Sequence, residues 1–443
     1  MLNLGLEGFV PVVLYTASII VFLLSIFWRP MIGIYFLVLL IPLQTIRYRI
    51  NDFPLGASLV YILILGIALG LLRKGQSLIP STPWTLLICT YTAFTFTSLC
   101  MGSFYLGVEL PWWSDDRRFS DWCDFMTMPA LFLFIASAVT EPRQVKWLVY
   151  VMCLSVLMLD KAFYNAVTEH DFSTYSEELR GGGTMGYAGS NGLAAFEAQY
   201  ATFLIALASC EPKRLQRFGY YALALFSAVC LMYSLSRGGY VALAAGCLFV
   251  GVVKLRKLLL GMLLFAAIWT SVVPQAVVTR VTMTYDESGS LEHSAEMRVT
   301  LWQDAAQLIN ANLLLGTGYN TYRYMKRVGD YEDTHNIYLK ILAETGLVGF
   351  LLFLWLLSKT FVRGCSLFRR SPDPFASGLG LALAGWVVCA TVANMFGDRW
   401  NYFQIQGYFW VLAALVARSW AFQQAGYATA KEELSASPQL VPA

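Results

Sequence analysis

The sequence is short of charged residues. Lys, Arg, Asp and Glu make up 13% of its 443 residues, whereas hydrophobic residues make up 57%. A soluble domain has roughly 25% charged residues. These proportions exclude both a large soluble protein and a disordered chain. The net charge of +3 is also too small to suggest a nucleic-acid partner.

Metal-binding patterns are lacking too. The chain has nine Cys and three His, but no CxxC pair and no Cys/His cluster. Most of the cysteines lie within apolar runs, and His170, His293 and His335 are far apart in the chain. We therefore expect neither a disulfide framework nor a zinc site.

What the sequence does have is apolar runs long enough to cross a bilayer. They recur from end to end, near residues 9–28, 31–46, 56–72, 83–101, 124–140, 145–165, 192–209, 219–235, 238–253, 257–276, 336–358, 377–397 and 403–421. The first runs are closely spaced, which suggests that one of them is a half-span. We predict an all-α polytopic membrane protein with about 12 transmembrane helices, or 12–13 if every run spans.

Basic residues predict the orientation of these spans, because they are concentrated in alternate loops. By the positive-inside rule, the loops around Arg73, Arg143, Lys213 and Lys254 and the stretch 359–376 are cytoplasmic. The opposite loops are then external, and they include all three histidines. These external loops are 102–123, 166–191, 236–239, 277–335 and 398–402. We expect a cysteine label applied from outside to reach 285–290 and to miss 366.

His335 is the first candidate for a chemical role, because it stands at the external end of an apolar run. A neutral imidazole there can accept a proton from a hydroxyl group. The alternative is a histidine that only caps a helix at the interface, and one such residue does not decide between the two. Asn336 and Tyr338 are its polar neighbours.

Arg237 is the second candidate. It lies in Ser236–Gly239, between two apolar runs that have almost no loop between them. An arginine so close to the membrane either faces a cavity or snorkels to the interface. In a cavity, its guanidinium would suit a diphosphate better than a lysine would.

Arg298 lies in a predicted helix of the long external loop, over residues 294–309. Apolar residues recur there at spacings of three and four, which is typical of a helix with one apolar face. We expect this helix to lie on the outer membrane surface, with Trp302 at the headgroups. Arg298 is on the polar face, where an arginine is ordinarily just solvated.

Three weaker candidates lie around the start of the run at 192–209. Arg180 precedes Gly181–Gly183, and such a stretch either cradles phosphate or is simply a flexible loop. Asn191 and Glu197 lie at the beginning of the run. Glu197 would be a carboxylate inside the membrane, either functional or paired with an arginine.

Four motifs, in this order, resemble those of the O-antigen ligase and polymerase family. They are S-R-G-G before an apolar run, R-x3-W, L-L-G-T-G-Y-N-T-Y, and H-N-x-Y-L-x2-L-A-E-T-G-L-V-G. In this sequence they occupy Ser236–Gly239, Arg298–Trp302, Leu314–Tyr322 and His335–Gly349. The resemblance extends over roughly residues 190–420 and is greatest to the O-antigen ligases, whereas the N-terminal half shows only compatible hydropathy.

The resemblance implies a glycosyltransferase of the bacterial inner membrane whose active site faces the periplasm and uses no metal or other cofactor. Its donor would be a glycan on undecaprenyl diphosphate, and its acceptor a sugar hydroxyl of lipid A-core. By motif, His335 would be the general base and Arg237 and Arg298 would bind the diphosphate. The other candidates would have supporting roles: Arg180, Asn191, Glu197, Asn336 and Tyr338.

We accordingly expect three regions in the chain. They are an N-terminal transmembrane bundle over 1–190, an O-antigen ligase-like region over 191–422 that includes the periplasmic loop 277–335, and a cytoplasmic tail over 423–443.

Other functions remain open at this point. An O-antigen polymerase or a protein O-oligosaccharyltransferase would share the motifs, since acceptor identity depends on cavity shape. A transporter of lipid-linked glycans is an alternative of a different class. It would require ionisable residues deep in several spans, for which Asp160, Lys161 and Glu197 are the few candidates.

Overall fold

The apolar runs of the sequence fold into helices. The computed structural model describes residues 9–112, 116–283 and 293–436, and within these ranges no strand occurs. Seventeen α-helices are present in them. They are α1 Val10–Phe27, α2 Pro30–Leu40, α3 Gln44–Tyr48, α4 Leu59–Arg73, α5 Thr85–Leu106, α6 Arg117–Ala138, α7 Pro142–Val167, α8 Gly189–Cys210, α9 Arg214–Tyr233, α10 Arg237–Val253, α11 Arg256–Val272, α12 Gln275–Thr282, α13 His293–Ala311, α14 Thr321–Met325, α15 Ile337–Arg370, α16 Pro374–Ala393 and α17 Phe403–Ala436.

The structure confirms a polytopic all-helical membrane protein. Among the described residues, nine helices are long and apolar enough to span a bilayer, or ten if α11 and α12, which meet at 112°, form one broken span. Three predicted spans account for the difference from 12: α10 is a shorter apolar helix, α11 counts only together with α12, and α17 is not among the nine. The 11 residues of α2 extend only about 16 Å, roughly half of the hydrocarbon thickness. The half-span expected among the early runs is therefore α2.

The last predicted span, 403–421, lies in α17 but is not among these nine helices. It contains Gln404, Gln406 and Arg418, which lower its hydropathy. The predicted tail from 423 also differs from the structure, since α17 continues to Ala436. Ala and Glu, which recur in this segment, favour a helix.

Helices α8 and α16 form the centre of the bundle. They are the most buried of the candidate spans and pack against each other. Both are rich in Gly, Ala, Ser and Thr, which allow helix backbones to approach closely in a membrane. In contrast, α11 has no buried residue, and its exposed Leu263, Phe265 and Val272 form a surface suited to lipid.

The connection between α15 and α16 is shorter than the sequence suggested. The stretch 359–376 was predicted to be a cytoplasmic loop, but α15 continues to Arg370 and α16 begins at Pro374. Position 366 therefore lies within α15. The predicted external label positions 285–290 lie outside the described residues.

The predicted orientation can be tested with cysteines at two exposed positions, Asp330 and Arg370. In a background without the native cysteines, we expect a membrane-impermeant maleimide to label Asp330→Cys in intact cells. Arg370→Cys should react only after the membrane is permeabilised, because its loop belongs to the Lys/Arg-rich set. Labelling in the reverse pattern would contradict the assigned orientation and would put His335 in the wrong compartment.

Candidate active site

The segment that precedes α15 is held against a break inside that helix. Gly346 has φ 62° and ψ −168°, a conformation that glycine adopts without strain. A Cβ at Gly346 would lie 2.3 Å from the carbonyl oxygen of Leu314. The segment around Leu314 passes the break at this point, and the amide of Leu347 donates to the carbonyl of Leu313 over 2.8 Å. Two of the sequence motifs therefore meet at Gly346.

Glu344 joins the same two motifs. Its side chain is 4% exposed, and its carboxylate accepts hydrogen bonds from the backbone amides of Asn320 and Tyr322, each over 3.1 Å. These amides belong to the first turn of α14 and the residue before it, where no carbonyl within the helix is available to them. Glu344 thus fixes the loop that leads to His335.

We expect Glu344→Gln to destabilise the protein. A glutamine side chain has one acceptor oxygen, so one of the two amides would face an NH₂ group instead. The loss should be about 1–3 kcal/mol, since a buried donor is left without an acceptor. Thermal unfolding of the purified protein in detergent measures this effect, with the exposed Glu296→Gln as a control. An unchanged unfolding temperature would rule out the role given to Glu344.

His335 stands directly before α15, as predicted. Asn336 is the N-cap of this helix, and its side chain accepts hydrogen bonds from the amides of Tyr338 and Leu339 over 3.0 and 3.3 Å. His335 itself has φ 51°, a left-handed conformation that is uncommon for a residue other than glycine. The supporting role of Asn336 is therefore a cap that sets where the helix begins.

Asp333 orients the imidazole of His335. One oxygen of its carboxylate, Oδ1, accepts hydrogen bonds from the backbone amide of His335 over 2.6 Å and from the ring Nδ1 over 2.8 Å. Burial alone would raise the pKa of the Asp333 carboxyl, but its hydrogen bond with His335 and the attraction between the two hold that pKa well below its usual range. A carboxylate on Nδ1 selects the tautomer in which Nε2 carries the lone pair. The pair can therefore present a proton acceptor.

Helix α13 connects this histidine to Arg298. The periodicity predicted a helix over 294–309, and the structure has one over His293–Ala311. Trp302 has a partner within the protein, because its indole Nε1 donates to the carbonyl of Thr334 over 3.1 Å. Residues four apart lie on the same side of a helix, so Arg298 is one turn from the residue that holds the His335 segment.

Arg298 also lines a small space at the ends of α8 and α10, which we call the arginine pocket. Its volume is about 20 Å³. It brings together parts of the predicted site that are far apart in the sequence. Its walls are formed by Asn191, Ala195, Ser236, Gly238, Gly239, Arg298, Ala393, Phe396 and Arg399.

Arg399 is a wall residue of this pocket that the sequence did not single out. It is 6% exposed, and its Nη1 donates to the hydroxyl of Tyr402 over 3.2 Å. It lies in the loop 398–402, between α16 and α17, where no recognisable motif surrounds it. Only the position of that loop on the predicted external side could have indicated it.

Arg180 and Asn191 belong to the edge of the arginine pocket. The oxygen of the Asn191 amide accepts hydrogen bonds from Arg180 Nη2 over 3.1 Å and from Ser236 Oγ over 2.8 Å. Arg180 is also paired with Glu177 over 2.9 Å. Arg180 is thus a fixed part of the structure rather than part of a flexible loop.

Arg237 begins α10, directly after a turn in which Leu235 has φ 55°. It is adjacent in sequence to the pocket residues Ser236 and Gly238 but is not itself among those that line the pocket. Its Nη1 donates to the carbonyl of Met283 over 2.5 Å, at the end of α12. Arg280 is buried, and its Nη1 is 4.0 Å from Sδ of Met283. The sequence did not indicate this residue. Arg237 and Arg280 therefore meet at the end of α12, beyond the two arginines that line the pocket.

Tyr338 and Glu197 lie elsewhere. The hydroxyl of Tyr338 donates to the carbonyl of Thr391 over 2.8 Å, which ties α15 to α16. Glu197 is fully buried in α8, where its neighbours are Asp160 and Ser227 rather than an arginine. Ser227 donates to Asp160 over 2.8 Å. These contacts support packing between helices and do not form part of the arginine pocket.

A comparison with protein families gives a match over residues 222–354, to the family described as O-antigen ligase. A search of curated proteins finds no match. All four motifs lie inside the matched residues, including Ser236–Gly239 and His335–Gly349. The match covers less than half of the chain, and together with the meeting of these motifs around one segment it supports membership of the O-antigen ligase and polymerase family.

Proposed function

We propose that this protein is a lipopolysaccharide O-antigen ligase. It would transfer a polysaccharide from undecaprenyl diphosphate to a sugar hydroxyl of lipid A-core, at the periplasmic face of the bacterial inner membrane. The family indicates a glycosyltransferase-like ligase activity in general. The observation that carries the proposal is the link through α13, which sets Arg298 one turn from the Trp302–Thr334 contact beside His335.

In this proposal the arginines stabilise the leaving group. Undecaprenyl diphosphate gains negative charge as the bond to the sugar breaks, and fixed positive groups at that place lower the barrier. Arg298 and Arg399 would contact the diphosphate, together with Arg237 at the start of α10. At about 20 Å³ the arginine pocket holds roughly one water, so the arginine side chains have to swing outward when the diphosphate binds.

His335 would act as the general base. Its Nε2 accepts the proton of the acceptor hydroxyl, and the freed oxygen attacks the anomeric carbon of the donor. The bond between that carbon and the diphosphate oxygen breaks, and undecaprenyl diphosphate leaves with the electron pair. A single displacement inverts the anomeric configuration. Asp333 would stabilise the imidazolium formed in this step.

The choice of acceptor can be tested by competition. The purified protein in liposomes receives an undecaprenyl-diphosphate glycan together with lipid A-core and an acceptor protein. We expect the glycan to be found on lipid A-core. A longer glycan on undecaprenyl diphosphate would instead support an O-antigen polymerase, and a glycosylated protein would support a protein O-oligosaccharyltransferase.

We also expect EDTA to leave the transfer rate unchanged. Among the residues that the structure describes, no three His, Cys, Asp or Glu side chains are grouped so that they could hold a metal ion, and arginines can supply the positive charge instead. The measurement is the initial rate of transfer before and after dialysis against EDTA. A loss of activity that a divalent cation restores would require a different mechanism, built on external carboxylates such as Asp115, Asp116 or Asp333.

A further inference from the structure

A larger cavity lies next to the arginine pocket and has no role in the mechanism so far. Its volume is about 500 Å³, which is within the usual range for ligand sites, about 300–1,000 Å³. The N-terminal half of the chain contributes Gln44, Arg47 and Tyr61 to its wall, and the C-terminal region contributes Asp333, Tyr402 and Gln406. The cavity therefore needs both halves of the chain.

Two residues of its wall each have a buried polar atom with unmet hydrogen-bonding capacity. Gln406 and Asp398 both line the cavity and are 2% and 4% exposed. Within the described part of the chain, Gln406 Nε2 and Asp398 Oδ1 have no hydrogen-bond partner. One is a donor and the other an acceptor, and a hydroxyl group can satisfy both kinds. Since unmet buried groups are costly, a small movement of either side chain toward the cavity would let it bond a hydroxyl group of a ligand.

Several charged groups of the cavity wall are already paired with each other or with a neighbour. Asp398 accepts from Lys340 over 2.7 Å, and Asp121 is 3.1 Å from Arg323. Asp333 is bonded to His335 over 2.8 Å. An additional charged ligand would have to break such pairs, whereas a neutral one leaves them intact. The wall thus favours a neutral saccharide.

The cavity also lies beside the base, because Asp333, the partner of His335, is in its wall. In a displacement at the anomeric carbon, the attacking hydroxyl and the leaving diphosphate lie on opposite sides of the sugar. Asp333, which holds His335, is in the cavity wall, whereas Arg298 and Arg399 line the arginine pocket. Tyr402 joins the two spaces, because it lines the cavity and contacts Arg399.

We propose that this cavity binds the neutral saccharide of the acceptor. The proposal rests on the proposed function for the reaction, but it makes a separate claim about where the acceptor sugar lies. It also gives the N-terminal half a role, since Gln44, Arg47 and Tyr61 would determine which acceptor sugar fits.

The test uses kinetics of the full-length protein with two cavity variants. Ala57 lines the cavity and is exposed, so Ala57→Trp fills space without disturbing a core. Gln406→Leu removes the unmet donor at similar size. We expect each to raise the KM for lipid A-core about tenfold or more and to leave the KM for the donor within about twofold. The matched control is Ser58→Trp, at the adjacent position, which does not line the cavity.

A second measurement separates this proposal from the proposed function. Delipidated core oligosaccharide is titrated into the purified protein, and binding is followed by calorimetry. We expect binding to the wild type and to Ser58→Trp, and about tenfold weaker binding to Ala57→Trp. If this pattern holds but no transfer occurs, the ligase function fails while the saccharide site stands. If the donor KM rises instead, or if binding is absent or is the same in Ala57→Trp and the wild type, the acceptor assignment is overturned.

Discussion

His335→Gln should abolish glycan transfer while the donor remains bound. Glutamine keeps a polar side chain of similar length but has no nitrogen that accepts a proton at neutral pH. The loss of a general base usually costs about 10²–10⁴-fold in rate. The measurement is the initial rate of transfer at saturating donor and acceptor, together with the affinity for undecaprenyl-diphosphate glycan.

The matched control for this variant is His170→Gln. His170 is in a loop that is also predicted to be external, and its Nδ1 is 3.0 Å from the carbonyl oxygen of Ala166, at the end of α7. We expect this variant to retain wild-type activity. Substantial transfer by His335→Gln would reduce His335 to the residue that precedes the cap of α15.

The second large effect is expected at the arginine pocket. Arg298→Ala and Arg399→Ala should each slow transfer about 10²–10³-fold, the loss that follows when one group that stabilises developing charge is removed, about 2.7–4 kcal/mol. Arg237→Ala should have an effect of the same kind. Lysine at these positions should restore only part of the rate, because it cannot form two parallel hydrogen bonds to a phosphate. Single-turnover rates with bound donor measure this loss.

Arg327→Ala is a suitable control for these variants. Arg327 is paired with Asp304 of α13 over 2.8 Å and its side chain is 37% exposed, so it touches the same helix without lining the pocket. Loss of such a pair costs about 1 kcal/mol or less. Normal transfer by Arg298→Ala and Arg399→Ala at wild-type expression would show that both arginines are only structural.

The sequence predicted most of the helices and part of the site. Helix α13 was predicted to within two residues at its ends, because an amphipathic helix has a clear period. The position of His335 before α15 and the half-span α2 also followed from local patterns. In each case the signal lies within about 20 neighbouring residues, where hydropathy alone is informative.

The remaining features depend on contacts between distant parts of the chain. Hydropathy predicted one continuous run over 336–358, whereas α15 breaks at Gly346, where a second segment crosses it. Arg399 and the pocket it shares with Arg298 result from the meeting of four separate segments. Gln44 and Gln406 come from opposite ends of the chain and line the same cavity. No local pattern in the sequence predicts that they meet there.

The central claim is that this protein forms a glycosidic bond and does not merely move a lipid-linked glycan. The most direct measurement is the stoichiometry of a reaction with purified protein, undecaprenyl-diphosphate glycan and lipid A-core in liposomes, without ATP. The account predicts one undecaprenyl diphosphate released for each glycan joined to lipid A-core, with an inverted anomeric configuration. Glycan that crosses the bilayer while still attached to undecaprenyl diphosphate, with no joined product, would contradict it.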